Sequence, residues 1–210
     1  MTLAQKGGRS PWLPIGAAAA FVVVTHYVGI AAGAPLTFLI VDTGIGLLFV
    51  IVGAVAWRRR PTSRTGPLLI LSGALWSLGS YGPTGIVPVW VLGFAFERSY
   101  DVTLALLALT FPADRLSRVG RVAMWALAGS FLLRSTGRLL LQDPPRTYPE
   151  FPADGLFNPF AILESRAAFE TVEVLANAGI AVLAIAIALI AARRLLRSPS
   201  LTQAVIGPGS

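Results

Sequence analysis

The chain has 210 residues, of which 55% are apolar and only 13% are charged. Soluble domains carry roughly 25% charged residues, and a water-soluble globule of this length has too little interior to hide so much apolar surface. The composition therefore excludes a soluble enzyme and a disordered chain, and it predicts an all-α, polytopic membrane protein.

Six apolar runs approach the length of a transmembrane helix, which needs about 20 apolar residues to cross a bilayer. They predict a six-helix transmembrane domain over residues 1–197. An outer loop (142–166) separates the last two spans, and a short cytoplasmic tail (198–210) follows the last. The predicted spans are about 12–32, 37–57, 66–82, 88–111, 122–141 and 167–192.

Some of these spans have an alternative interpretation. The first follows Lys6 and Arg9 and ends near residues 32–34 (AGA), which have the form of a signal-peptidase site. Its length of about 20 residues favours a retained helix over a cleaved signal peptide. The third span is short and the fourth contains charged residues, so the pair could instead form a helix, a re-entrant turn at 81–88 and another helix.

Basic residues mark one side of the predicted bundle. Six alternating spans place both termini and the loops 58–65 and 113–121 on that side, with one acid, Asp114. The positive-inside rule then predicts a multi-pass protein of the plasma (inner) membrane with both termini cytoplasmic. The net charge of +7 records this topology and does not indicate nucleic-acid binding. The bases on this side are Lys6, Arg9, Arg58, Arg59, Arg60, Arg64, Arg115, Arg118, Arg121, Arg193, Arg194 and Arg197.

Ionisable residues also lie inside the predicted spans, where a charge at mid-bilayer costs roughly 2.5–3.5 kcal/mol. Their positions, at about 1.5 Å of rise per residue, place a polar cluster in the outer half of the bundle. We expect Arg134 to pair with Glu97 or Asp101, and Arg138 to pair with Glu173, while Arg98 and Asp101, three residues apart, can pair along the same helix. The candidate intramembrane polar or signal site comprises Glu97, Arg98, Asp101, Arg134, Arg138, Glu173, His26 and Asp42.

Two interpretations of this cluster remain open at the level of sequence. The charges could simply neutralise one another and hold helices together, or they could form a ligand or proton site. His26 is expected to be a hydrogen-bonded packing residue, with pH sensing as the alternative. The chain has no Cys and a single His, and it shows no catalytic triad, metal-ligand spacing or nucleotide-binding loop. It therefore predicts no catalytic residue, no metal site and no cofactor.

Local patterns predict packing and helix ends. Gly44, Gly46 and Gly53 predict that the second helix packs closely on a neighbour. The five Trp mostly flank span ends and predict an interfacial belt. Asn158 and Pro159 predict the cap and first turn of a helix that runs continuously into the sixth span.

Three segments together resemble the membrane-embedded N-terminal sensor (input) regions of actinobacterial sensor histidine kinases. Residues 57–69 (WRRRPTSRTGPLL) are similar to the family's W-R-R-R-P-x-N-R-x-G-W-L-L. Residues 106–116 (LLALTFPADRL) are similar to L-L-x-x-F-P-D-G-R-L, and residues 158–160 (NPF) to an N-P-L/F element. The resemblance covers roughly residues 38–197. Pro67 departs from the usual Trp, and Ala113-Asp114 replace Asp-Gly.

The resemblance implies a signal-input module of a two-component sensor that lacks the kinase core. The family continues into a helix with a phospho-accepting His and an ATP-binding domain, whereas this chain stops just after the sixth predicted span. It is therefore expected to be a fragment or a stand-alone remnant, and not an enzyme. The implied partners are the lipid bilayer, a second copy in a homodimer, and a kinase core or response regulator encoded downstream, with no nucleic acid.

The alternative function is a small transporter or channel-like membrane protein that uses the intramembrane charges. A lipid-modifying enzyme would need a recognisable nucleophile or metal set, and an assembly or scaffold role is a further possibility on sequence alone.

Overall fold

The computed structural model of the protein describes residues 11–31, 36–81, 86–111, 115–141, 157–163 and 165–196. Within these ranges the chain is helical and contains no strand, so the all-α prediction is confirmed. The helices are α1 (Trp12–Ala31), α2 (Leu36–Arg59), α3 (Thr65–Trp76), α4 (Val87–Phe96), α5 (Tyr100–Thr110), α6 (Arg118–Leu141) and α7 (Arg166–Leu196), and a 3-10 turn (Ser77–Tyr81) extends α3.

Three helical segments of the described chain are long and apolar enough to cross a membrane. They are Trp12–Ala31, Ile40–Arg59 and Arg166–Arg194. Large apolar side chains such as Leu48 and Val182 are exposed on them, at 60% and 66%. Such outward apolar surface suits contact with lipid, and the fold is compatible with a membrane protein.

The other predicted spans are less regular. α6 has 24 residues, but Arg134 and Arg138 lie within it and lower its mean hydropathy. The third predicted span is a shorter apolar helix, Thr65–Gly79. The re-entrant turn proposed at 81–88 falls mainly on residues 82–85, which lie outside the described residues.

The predicted fourth span, 88–111, contains two helices, and the interruption expected at its charged residues is a break in the helix. α4 ends at Phe96 and α5 begins at Tyr100. Between them the backbone makes tight bonds three residues apart: the amide of Ser99 donates to the carbonyl of Phe96 at 3.0 Å, and that of Asp101 to the carbonyl of Arg98 at 3.0 Å. Glu97 and Ser99 keep right-handed helical dihedral angles, so the break is a tightened turn between the two helices.

Side chains of α6 stabilise this break. A helix end exposes carbonyls without an intrahelical partner, and these are costly in an apolar environment. The hydroxyl of Ser135 donates to the carbonyl of Ala95 at 2.9 Å, and Nη1 of Arg138 donates to the carbonyl of Phe94 at 2.9 Å. The positive charge of Arg138 also complements the helix dipole at the C-terminus of α4.

Two apolar clusters flank the break. In the first, α1, α2 and α3 pack through Val22, Val50 and Ile70. In the second, α5, α6 and α7 pack through a cluster that includes Leu109 and Leu127. A hydrogen bond of 2.7 Å between the hydroxyls of Ser72 and Thr103 joins α3 to α5. The polar residues discussed below lie where the two halves meet.

Glycines allow α2 and α3 to approach closely. A Cβ on Gly53 would lie 2.9 Å from the carbonyl oxygen of Gly66, and one on Gly73 would lie 2.6 Å from that of Gly46. Gly46 and Gly53 therefore act as the sequence predicts. The prediction is wrong for Gly44, where an added Cβ would meet no atom within 4 Å.

The expected helix start at Asn158 is also wrong. Residues 157–163 form turns, and α7 begins at Arg166. Asn158 accepts a hydrogen bond from the amide of Phe160 at 3.0 Å and donates Nδ2 to the carbonyl of Leu139 at 2.9 Å. Its amide side chain thus binds the C-terminal end of α6, where the last carbonyls have no intrahelical donor.

The Trp residues do not form a uniform interfacial belt. Trp12 and Trp125 are exposed, whereas Trp90 is only 1% exposed and stacks on Phe94 with ring centroids 5.4 Å apart. Trp76 donates its indole N–H to a carboxylate described below. The belt prediction therefore fails for Trp90 and Trp76, whose rings pack inside the protein.

Candidate functional site

Four charged side chains from three elements form a closed ion-pair cluster. Arg134 and Arg138, one turn apart on α6, lie between Glu97 at the helix break and Glu173 on α7. Arg134 lies 2.6 Å from Oε1 of Glu97 and 3.0 Å from Oε1 of Glu173. Arg138 lies 2.7 Å from Glu97 and 2.9 Å from Glu173. Each arginine therefore binds both carboxylates, and the four charges balance.

The structure contains the expected pairs Glu97–Arg134 and Glu173–Arg138, and it adds the two cross-pairs. Arg134 is only 2% exposed. Its Nη1 is buried and, within the described residues, has no hydrogen-bond partner. A buried guanidinium is strongly unfavourable unless carboxylates neutralise it, so the cluster depends on both acids.

A second chain of hydrogen bonds extends the cluster to α5. Nε of Arg98 lies 3.1 Å from Oδ2 of Asp101, and its Nη1 donates to Oδ1 of Asn177 at 3.5 Å. Nδ2 of Asn177 donates in turn to Oε1 of Glu173 at 3.2 Å. Asp101 thus pairs with Arg98, and not with Arg134 as one of the expectations had it. One continuous polar network joins the break, α5, α6 and α7.

His26 and Asp42 form a separate pair on α1 and α2. Nδ1 of His26 donates to the carbonyl of Val22 at 2.6 Å, since a carbonyl oxygen only accepts. Nε2 lies 2.9 Å from Oδ2 of Asp42, and the two side chains are hydrogen-bonded. Trp76 donates Nε1 to the other oxygen of Asp42 at 2.5 Å. His26 is the hydrogen-bonded packing residue that the sequence predicts.

A polar cavity of about 420 Å³ joins these two groups. Asp42, Glu97 and Arg98 line it, together with the rings of Trp76 and Tyr100. The two ring centroids are 4.6 Å apart. The volume is within the range of small-molecule sites.

The structure therefore brings six of the eight candidate residues into one network and places His26 and Asp42 in a neighbouring pair, with Asp42 on the shared cavity. Sequence analysis missed the participation of Trp76, Tyr100 and Ser135. The signal for Trp76 is that a Trp within an apolar segment needs an acceptor for its N–H. Ser135 has no comparable signal in the sequence, because the carbonyl that it binds is free to accept a hydrogen bond only where the helix breaks.

The chemistry of the site favours the binding of a ligand or the coupling of helix movements. Within the described residues no group of three or more His, Cys, Asp or Glu could hold a metal ion. Arginine, histidine and indole groups are hydrogen-bonded to the acids of the site. This arrangement suits a polar interior in which one hydrogen-bonded partner can be exchanged for another. The chain matches no family model, no curated protein and no solved structure. Fold and site define a helical, membrane-compatible protein with a buried ion-pair network.

Proposed function

We propose that the chain is the membrane-embedded signal-input module of a two-component sensor. In this proposal it is a plasma-membrane protein with six spans, α4 and α5 together forming the fourth, and with both termini in the cytoplasm. The basic loops and the resemblance of residues 57–69 and 106–116 to sensor histidine kinases support this assignment.

The observation that carries the proposal is the way α7 is attached at two levels. Glu173 and Asn177 belong to the polar network. Arg194, twenty-one residues after Glu173 and about 32 Å further along the helix, donates to the carbonyl of Leu109 at the end of α5. α5 carries Asp101 of the same network at its other end. A change in the network therefore acts at one end of the α5–α7 pair, and the bond from Arg194 to Leu109 joins the two helices at the other end.

The network offers discrete alternatives, which a signalling element needs. Each arginine of the cluster contacts two carboxylates, and Arg98 contacts both Asp101 and Asn177. A ligand that binds one of these arginines in place of a group on α7 releases that group, and α7 can then move. Displacement of α7 then reaches the basic, cytoplasmic end at Arg193 and Arg194.

The test joins the chain, through the end of α7, to a surrogate kinase core whose phosphorylation output is measured. Glu173→Gln weakens the cluster, and we expect it to change basal output by about threefold or more. The matched control is Glu170→Gln, on the same helix, where Glu170 makes only an exposed pair with Arg166. If Glu173→Gln and Glu170→Gln give the output of the unmodified fusion at equal expression, the network has no signalling role.

The topology is tested separately by cysteine labelling, which is possible because the chain has no Cys of its own. Single-cysteine variants Arg60→Cys and Ile162→Cys are treated with a membrane-impermeant maleimide on intact cells. We expect labelling only at position 162, which lies beyond α6 and is 78% exposed. Labelling at position 60 would overturn the proposed orientation.

A small transporter or channel is the second candidate, and the broken helix favours it. Discontinuous helices with charged residues at the break are typical of transport sites. Glu97 and Arg98 lie at such a break and are each about one-third or more exposed, at 34% and 40% of the side chain. Ion flux through proteoliposomes containing the isolated chain, above that of empty vesicles and abolished by Arg98→Gln, would favour this function over an input module.

A further inference from the structure

An apolar groove adjoins the polar cavity and continues it along the inner half of the fold. The groove has a volume of about 510 Å³ and runs between α5, α6 and α7. Leu104, Ala108, Ala184 and Ala188 are among the residues that line it. It is a separate feature from the ion-pair cluster, which lies at one of its ends.

Arg98 and Asn177 line both the polar cavity and the groove. The hydrogen bond between these two side chains, at 3.5 Å, is long for its type. Polar and apolar spaces therefore meet at a pair of residues that already belongs to the network. A single molecule with a polar head and an apolar tail would occupy both spaces.

The length of the groove suits a hydrocarbon tail. From Asn177 to Ala188 the helix rises about 16 Å, roughly half of the ~30 Å hydrocarbon core. In the proposed orientation the polar cavity faces the outer half of the bilayer and the groove points inward. A bound amphiphile would thus have the direction of an outer-leaflet lipid, head outward and tail inward.

The charges of the polar cavity define the head. Glu97 and Glu173 are balanced by Arg134 and Arg138, and Asp101 by Arg98. Asp42, on the same cavity, is hydrogen-bonded to His26 and Trp76. A head with a net charge would remain unbalanced in this low-dielectric site, which is costly. The cavity still offers guanidinium donors on the partly exposed Arg98 and two aromatic faces, on Trp76 and Tyr100.

We propose that the cavity and groove together bind a single-chain amphiphile whose polar head has no net charge, either uncharged or zwitterionic. The proposal rests on the input function above and names the ligand class of the same site. Binding replaces the contact between Arg98 and Asn177 and places a tail against α5 and α7. The ligand therefore acts on the helix pair that carries the signal.

The test uses probes with one tail and different heads. Four dodecyl probes carry a photoreactive diazirine at the end of the tail and a phosphocholine, maltoside, trimethylammonium or carboxylate head. The full chain is reconstituted in lipid nanodiscs, illuminated with each probe, and the labelled peptides are quantified by mass spectrometry. We expect the phosphocholine and maltoside probes to label the peptides of α5 and α7 that line the groove at least about tenfold more than the charged probes.

Two variants separate the groove from the rest of the lipid-facing surface. Ala184→Phe fills the groove at an exposed position and should reduce this labelling about tenfold or more. Ala178→Phe makes the same change on α7 at an exposed position outside the lining, and should leave the labelling unchanged. The fold of both variants is checked by their thermal unfolding in the same nanodiscs.

Three results would overturn the proposal. One is equal labelling of groove peptides and of the exposed faces of α1 and α2, which would indicate bulk lipid only. Another is equal labelling by charged and uncharged heads. A third is a loss of dimers in Ala184→Phe without a loss of labelling, which would assign the groove to a second copy of the chain. None of these readouts involves kinase output, so failure here is distinguishable from failure of the input function.

Discussion

Replacing Arg134 by Met should be the most damaging single change in the polar network. The substitution keeps an unbranched side chain of similar length and removes the guanidinium. Arg134 is 2% exposed and binds both Glu97 and Glu173. After the change, two carboxylates share the one guanidinium of Arg138, and the buried cluster carries an uncompensated negative charge.

The magnitude follows from this geometry. Removing one partner of a buried ion pair costs about 3–5 kcal/mol, because a charge is left without its counter-ion. Arg138 already contacts both acids, at 2.7 and 2.9 Å, and limits the loss. We therefore expect the free energy of unfolding to fall by about 3 kcal/mol, at the lower end of that range. This corresponds to roughly a hundredfold change in the unfolding equilibrium.

The assay is reversible unfolding in mixed micelles by titration with a denaturing detergent, followed by Trp fluorescence. Arg166→Met is the matched control, since Arg166 makes an ion pair with Glu170 in which both side chains are more than half exposed. Exposed pairs of this kind contribute about 0–1 kcal/mol at most. The control should therefore unfold close to the unmodified chain.

A double variant tests the reasoning itself. Arg134→Met with Glu173→Gln removes one charge of each sign and leaves Glu97 paired with Arg138. If neutrality is what matters, the double variant should be at least as stable as Arg134→Met alone. A double variant that loses the sum of the two single effects, or an Arg134→Met variant no less stable than Arg166→Met, would refute the role assigned to the cluster.

Two further predictions concern helix packing and a helix end, and both use the same unfolding assay. Gly53→Ala should lower the free energy of unfolding by about 1–3 kcal/mol, because its Cβ would lie 2.8 Å from Ile70. Gly44→Ala, where space is open, should be neutral or stabilising by about 0.5–1 kcal/mol, and equal loss at both positions would contradict close packing as the cause. Asn158→Ala should lower the free energy of unfolding by about 1–3 kcal/mol, because the carbonyls at the end of α6 lose their donor. The control Thr171→Ala, on the exposed face of α7, should change it by less than about 0.5 kcal/mol.

The sequence alone determined the class of fold. Apolar runs of about 20 residues can only be satisfied in lipid as helices, since every backbone group must then be bonded within the segment. The same reasoning located the helices near the bounds observed and restricted the buried charges to a short list. It also anticipated that Arg134 and Arg138 need acids, because unpaired charges there are too costly.

Only the tertiary structure decided how those charges are connected. Spacing along one helix shows which residues share a face, but it does not show which neighbouring helix lies opposite. The helix between α4 and α5 breaks at Glu97–Ser99, and α6 supplies donors to the carbonyls of Phe94 and Ala95, in contacts between residues 40 or more positions apart in the chain. Asn158 likewise serves the end of α6 and not the helix that follows it.

The amino-acid composition shows the difference between what the sequence determines and what the tertiary structure decides. Scarcity of charge follows from the sequence and identifies a chain suited to lipid. The placement of the few buried charges in one balanced network depends on long-range packing, because Arg134 and Arg138 are each neutralised by acids from two other elements. That network, and the groove beside it, exist only once α4, α5, α6 and α7 have packed together.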